Sequence, residues 1–172
     1  RVAVACLLAA TLAAGVAWAA TAWQAILGFS ALEFTATLAG GEFKGRFGEF
    51  DADIVFDPAD LAGSRFRVVV QTGSADTADA ERDASLKGPD FFDVARWPTA
   101  TFEATRFRST GPGRFEALGS LTLRGVTREV PVTFQFEVPK GGPHASLIGE
   151  ATIRRLEFGV GQGEWRDTQW LG

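Results

Sequence analysis

The sequence has no methionine, no tyrosine, one cysteine and one histidine in 172 residues. Each scarcity removes a class of chemistry. With Cys6 and His144 as the only soft or imidazole donors, a zinc-type site would have to be built from carboxylates, which does not suit that metal. His144 stands in Gly141-Gly142-Pro143-His144-Ala145, a turn context that reads as a solvated loop. No Gly-x-Ser-x-Gly elbow supports it as a catalytic base, because Gly63-Ser64-Arg65 and Gly119-Ser120-Leu121 lack the flanking pattern. Positive charge is also short: 17 Lys and Arg against 21 Asp and Glu give 17 − 21 = −4. That leaves no surplus to neutralise a phosphate backbone and argues against nucleic acid as a partner. The missing methionine, absent even at residue 1, leads us to expect a piece of a longer precursor.

What the chain does have is apolar. Its aromatics are 15 Phe and 5 Trp, and Phe supplies buried area without a polar handle. Glycine reaches 20 residues, about 12% where about 7% is usual. From Val2 to Ala22 the run is nearly all Ala, Leu and Val. With Ala17-Trp18-Ala19 as a small-x-small cleavage site, residues 1–19 are expected to be an export signal peptide, a retained membrane anchor being the alternative. Cys6 precedes most of this apolar core, so lipid attachment is not expected, and residues 20–172 then form one cysteine-free domain.

Within that domain the dominant period is two. Leu32, Phe34, Ala36 and Leu38 alternate with Glu33, Thr35 and Thr37, and Phe66, Val68 and Val70 alternate with Arg65 and Arg67. Ala52, Ile54 and Phe56 alternate with Asp51, Asp53 and Asp57. The clearest run sets Val130, Val132, Phe134, Phe136 and Val138 against Glu129, Pro131, Thr133, Gln135 and Glu137. Less regular runs cover 42–50, 99–108, 113–123 and 146–157. Alternation of this kind predicts antiparallel strands with one face in oil. Strands at roughly ten-residue spacing, split by glycine and proline turns, predict a sandwich or barrel.

One segment departs from the period. Asp76–Lys87 has helix-starting residues at Asp76, Thr77 or Asp79, acids in its first turn, Lys87 in its last and Gly88-Pro89 as a stop. A thin surface helix over an opening is expected there, followed by Phe91, Phe92 and Trp97, either as a gate or as filler for the barrel end. Arg82-Asp83 on that helix reads as a latch, a head-group contact or a plain surface pair. Asp51, Asp53 and Asp57 read as a solvated face, and Gly159-Val160-Gly161-Gln162-Gly163 reads as a turn or bulge rather than a phosphate cradle. Small residues on inward faces, at Ala117, Gly119, Gly149 and Ala151, either leave volume unfilled or meet bulky partners opposite.

A set of motifs then carries a family likeness: Gly45-Arg46-Phe47, Phe56-Asp57-Pro58, Ser74 with Thr77, Arg82-Asp83 with Leu86-Lys87, Phe91-Phe92-Asp93, and Gly119-Ser120-Leu121-Thr122-Leu123-Arg124-Gly125-Val126-Thr127. From about Ala31 to Trp165 the chain resembles the YceI-like family of bacterial periplasmic, polyisoprenoid-binding proteins. The resemblance implies an all-β, lipocalin-like antiparallel barrel with one short helix over its opening. It implies an apolar pore holding an isoprenoid lipid, polyprenyl or quinone-type, with no catalytic residues; no metal and no cofactor are expected. A membrane cytochrome b component is an implied partner. The alternative is an accessory protein of a membrane redox complex with a packed, ligand-free core. Family members carry an early His where this sequence has Ser30-Ala31-Leu32, so no role of that His transfers. They also run into a last strand beyond Trp170-Leu171-Gly172, so the barrel is expected to lack that strand. The expected ligand-binding residues are Phe34, Phe47, Phe56, Val68, Phe91, Phe92, Trp97, Phe102, Leu121, Phe134 and Phe136. Leu121→Trp or Ala117→Phe is expected to block the pore.

Overall fold

The structure is a computed structural model that describes residues 1–10, 21–26, 28–139 and 143–172. Its backbone is mostly antiparallel strand: β1 Val2–Ala10, β2 Ala22–Ala25, β3 Ala31–Leu38, β4 Gly41–Phe47, β5 Phe50–Val55, β6 Arg65–Gln71, β7 Ala75–Asp76, β8 Thr99–Gly111, β9 Arg114–Leu123, β10 Val126–Glu137 and β11 His144–Ala151. The Val-, Phe- and Thr-rich alternation makes these strands because branched and aromatic side chains pack well on a pleated surface. Neighbours run in the order β11-β10-β9-β8-β6-β5-β2-β1-β3-β4-β7, and the sheet curls until β1 also pairs with β11. The register of that seam runs from Val2 opposite Ala151 to Ala9 opposite His144. On its other side β1 pairs with β3 through Val2–Ala5 and with β2 through Leu8–Ala10.

Residues expected to act as a leader thus include a strand in this structure, and barrel closure runs through it. The expected cleavage site, Ala17-Trp18-Ala19, lies outside the described residues.

The β9–β10 hairpin turns on Arg124-Gly125, whose φ angles are 51° and 71°. A two-residue loop with both central residues left-handed matches the right-handed twist of the strands it joins. Three sequence expectations need adjustment. The run 42–50 is interrupted at Gly48-Glu49, where the Gly48 N–H donates to the Ser74 carbonyl at 3.1 Å, before β5 starts at Phe50. The run 146–157 leaves the sheet after Ala151 and enters a 3₁₀ turn at Arg155–Phe158. The helix, α1, spans Ala80–Lys87 and is capped by Asp79 rather than by Asp76 or Thr77.

Two buried clusters occupy the barrel. One surrounds Phe56, Phe66, Phe115, Phe134 and Phe136, and the other gathers Leu86, Phe91, Phe92, Phe158, Val160 and Leu171. Residues of both clusters line one cavity, and the site lies there.

Candidate functional site

The floor of the site is a knot of rings. Phe56 is 1% exposed. Its ring lies 4.9–5.8 Å from those of Phe66, Phe107, Phe115, Phe134 and Phe136 in edge-on or tilted geometry. Such geometry lets the positive edge of one ring meet the negative face of another. Trp23 completes the floor, donating its indole N–H to the Phe56 carbonyl at 3.0 Å.

Above this floor is a cavity of about 290 Å³, at the low end of the roughly 300–1,000 Å³ range of small-ligand pockets. Its walls include Phe34, Phe47, Val68, Phe102, Leu121 and Phe134, and its roof includes Leu86, Phe91, Phe92, Val160 and Leu171. The few polar residues on the lining are Arg1, Thr35, Thr72 and Arg155. Thr72 is already committed, its hydroxyl donating to the carbonyls of Trp97 and Pro98 at 3.0 and 2.9 Å. Apart from Arg1, Thr35, Thr72 and Arg155, the rest of the lining is apolar.

Local sequence fixes the roof. The Asp79 carboxylate accepts from the backbone N–H groups of Glu81 and Arg82 at 3.1 and 3.0 Å, so α1 starts beside the mouth. Asp83 accepts from both the N–H and the hydroxyl of Thr77 at 2.8 and 2.7 Å. Arg82 pairs with Asp79 at 3.2 Å and places its guanidinium 4.6 Å from the centre of the Phe43 ring. The Arg82-Asp83 pair therefore acts as two latches, one on each residue, rather than as one ion pair. Arg124 reaches across from the β9–β10 turn and donates to the carbonyls of Pro89 and Phe91. Gly161 and Gln162 donate their backbone N–H groups to Asp90 at 2.8 and 2.9 Å, which ties the segment after β11 to the same loop.

These bonds make the roof acid-sensitive in one direction. The Arg82 and Glu81 backbone N–H groups and the Arg82 charge hold Asp79 below its usual 3.8. A carboxylate lowered in the folded state stabilises fully above its unfolded value and loses that contribution as pH falls through the folded one. Hydrogen exchange of α1 amides is therefore expected to speed up relative to the β9–β10 core as pH drops below about 4. In Asp79→Ala that difference should already be present at neutral pH.

The placement of the expected site residues is uneven. Phe34, Phe47, Val68, Phe91, Phe92, Phe102, Leu121 and Phe134 line the cavity. Phe56 and Phe136 do not, because both are consumed in the floor. Trp97 also stays outside, its ring lying over the β9–β10 turn where a side chain on Gly125 would collide with it. Of the small inward residues, Ala151 lines the cavity, whereas Gly119 and Gly149 do not open space. The Phe102 ring fills the place of a Gly119 side chain, the Phe34 ring that of Gly45, and backbone and Phe134 that of Gly149. Ala117 is fully buried in the floor cluster, so Ala117→Phe would strain the floor instead of filling the cavity. His144 is exposed, as are Asp51 and Asp53, and among the described residues no group of three or more His, Cys, Asp or Glu stands together. Sequence reading missed Arg155, which the expected strand 146–157 had absorbed.

Comparison with known proteins adds kinship to this geometry. A family model described as YceI-like domain matches residues 22–170. A UPF0312 protein of Vibrio vulnificus is 36% identical over 121 residues, covering 68% of this chain and 64% of that protein. The chain thus spans less than two thirds of that relative's length. A UPF0312 protein of Azotobacter vinelandii is 38% identical over 120 residues, covering 67% of this chain and 62% of the relative. Among solved structures, BcnA of Burkholderia cenocepacia superposes with a TM-score of 0.74 at 27% identity, covering 81% of this chain and 88% of that one. A Campylobacter jejuni YceI protein superposes with a TM-score of 0.61 at 27% identity, covering 70% and 72%.

Proposed function

Since the chain belongs to the YceI-like domain family, with residues 22–170 matched, we propose that it is a binding protein that sequesters the apolar chain of a lipid inside its barrel. The observation that carries this reading is the cavity of about 290 Å³, apolar on nearly all sides and closed at one end by the Phe56 rings. Apolar area moved out of water supplies the affinity, about 0.8 kcal/mol for each buried CH₂ before ordering costs. No chemical step is part of the proposal.

In its finer form the chain bound is isoprenoid, polyprenyl or quinone-type. The protein works in the periplasm, and a membrane cytochrome b component is a partner. The resemblance in the sequence motivates the isoprenoid and the partner, and the Val2–Ala22 composition motivates export. The accessory reading with a packed core has the cavity against it.

Titration with geranylgeraniol, followed by tryptophan fluorescence and checked by calorimetry, tests the proposal. Saturable one-to-one uptake with a negative heat-capacity change is expected, because burial of apolar surface gives that sign. Absence of saturable uptake would refute it.

A further inference from the structure

Among the described residues, Arg155 is a cation on the cavity lining that forms no ion pair with a carboxylate. It stands where β11 gives way to the 3₁₀ turn, partly exposed, and it lines the cavity. Its Nε donates to the Leu171 carbonyl at 3.1 Å, one terminal nitrogen donates to the same carbonyl, and the other donates to the Val160 carbonyl at 3.1 Å. Both acceptors are neutral carbonyls. A guanidinium has five N–H groups, so two remain. Every Asp and Glu of the chain is among the described residues, and none forms an ion pair with Arg155. Its neighbour Arg154 does pair, with Glu157 at 3.4 Å.

The surroundings are shaped to hold this charge. Gly161 has φ 87°, and any side chain there would overlap the guanidinium. The glycine-rich segment after Phe158 therefore bends around Arg155 and turns the Val160 carbonyl towards it. Burial without a counter-charge also lowers the Arg155 pKa from its usual value, the direction expected when a cation loses water without gaining an anion. Carbonyls offset part of the cost of drawing this cation out of water, and without a carboxylate the rest of that cost stands. A ligand recovers it if its head is negative.

We propose that the cavity takes an anionic amphiphile, with the apolar chain in the barrel and a carboxylate or phosphate head on the free N–H groups of Arg155. This rests on the lipid-binding reading above and adds the class of head group to it. The planar fork of arginine suits both heads, since each presents two oxygens at matching spacing. Quinones and free polyprenols, which carry no anionic group, are then weaker ligands than an isoprenoid phosphate or a fatty acid.

The test uses the full chain and pairs of probes that differ only in the head: geranylgeranyl phosphate against geranylgeraniol, and palmitate against palmitamide. A charge-assisted hydrogen bond in a partly shielded site predicts at least about tenfold tighter binding of the anion. Preference for the phosphate alone, or for the carboxylate alone, identifies which source of anion the site is built for. Arg155→Gln is expected to erase the preference, and Arg155→Lys to restore part of it. Arg154, the neighbouring cation, is exposed and outside the lining, and Arg154→Gln should leave the preference intact. Because Arg155 also holds two backbone carbonyls, a direct readout accompanies the variants. The Arg155 Nε–H resonance of the wild-type protein should shift with the phosphate and not with the alcohol. Equal affinity for anion and neutral probe, a preference that survives Arg155→Gln, or an unmoved Nε–H signal would overturn the head-group assignment and leave lipid binding standing. Failure of all four probes to bind would overturn both.

Discussion

Leu121→Trp should abolish uptake of an apolar chain while leaving the barrel folded. Leu121 is on β9, opposite Phe102 of β8, and both line the cavity. An indole at this position enters space that no protein atom fills, so it escapes most of the roughly 1–3 kcal/mol that overpacking costs in a filled core. The ligand loses that volume, and each displaced CH₂ removes about 0.8 kcal/mol. A few such groups amount to at least about a hundredfold weaker binding. Titration of the variant with geranylgeraniol, alongside its thermal melt, measures both effects. Normal affinity in a folded Leu121→Trp protein would place the ligand elsewhere.

Phe56→Ala is expected to produce the largest loss of stability. Phe56 is 1% exposed and touches five other rings, so truncation opens a hole in the most densely aromatic part of the molecule. Phe-to-Ala changes in such places cost about 3–5 kcal/mol. For a chain of this length that lowers the melting temperature by roughly 10 °C. The variant also separates floor from wall. A cavity closed by the Phe56 knot should become deeper in a surviving Phe56→Ala protein, and longer chains should then gain affinity relative to shorter ones. Calorimetric melting and a chain-length series read the two consequences independently.

The alternation at 32–38, 65–71 and 129–138 made the strands and their inward faces readable, because period two distinguishes core from solvent directly. The helix was readable for a different reason. Asp79, the acids after it and Lys87 complement an isolated helix whatever it packs on. Depth along the barrel axis was not readable. Phe134 and Phe136 occupy the same face of β10, yet one reaches the cavity wall and the other is spent in the floor with Trp23. That difference is set by cross-strand register, such as Phe134 opposite Phe115, and by where Phe56 enters from β5's end. Nor does local pattern reveal that the Phe102 ring fills the gap at Gly119, since the two belong to different strands. Trp97 was misplaced for the same reason, its partner Gly125 being a turn residue of another hairpin. Arg155 was invisible because its meaning lies in what it lacks, a carboxylate, and only three-dimensional neighbours establish that.

The N-terminal strand has a physical logic of its own. An edge left open at β11 would expose a row of unpaired backbone groups to other chains. In this structure Val2–Ala10 covers that edge and pairs with β3 and β2 on its other side.

The claim on which the rest depends is that the barrel interior is a chemically apolar space for another molecule's chain. Mass spectrometry of an organic extract, taken from protein purified without detergent after bacterial expression, tests it most directly. The account predicts an amphiphile with a long apolar chain at close to one equivalent per protein, reduced to background in Leu121→Trp purified alongside. Extracts that repeatedly contain no stoichiometric amphiphile, or contain the same amount from both proteins, would contradict it.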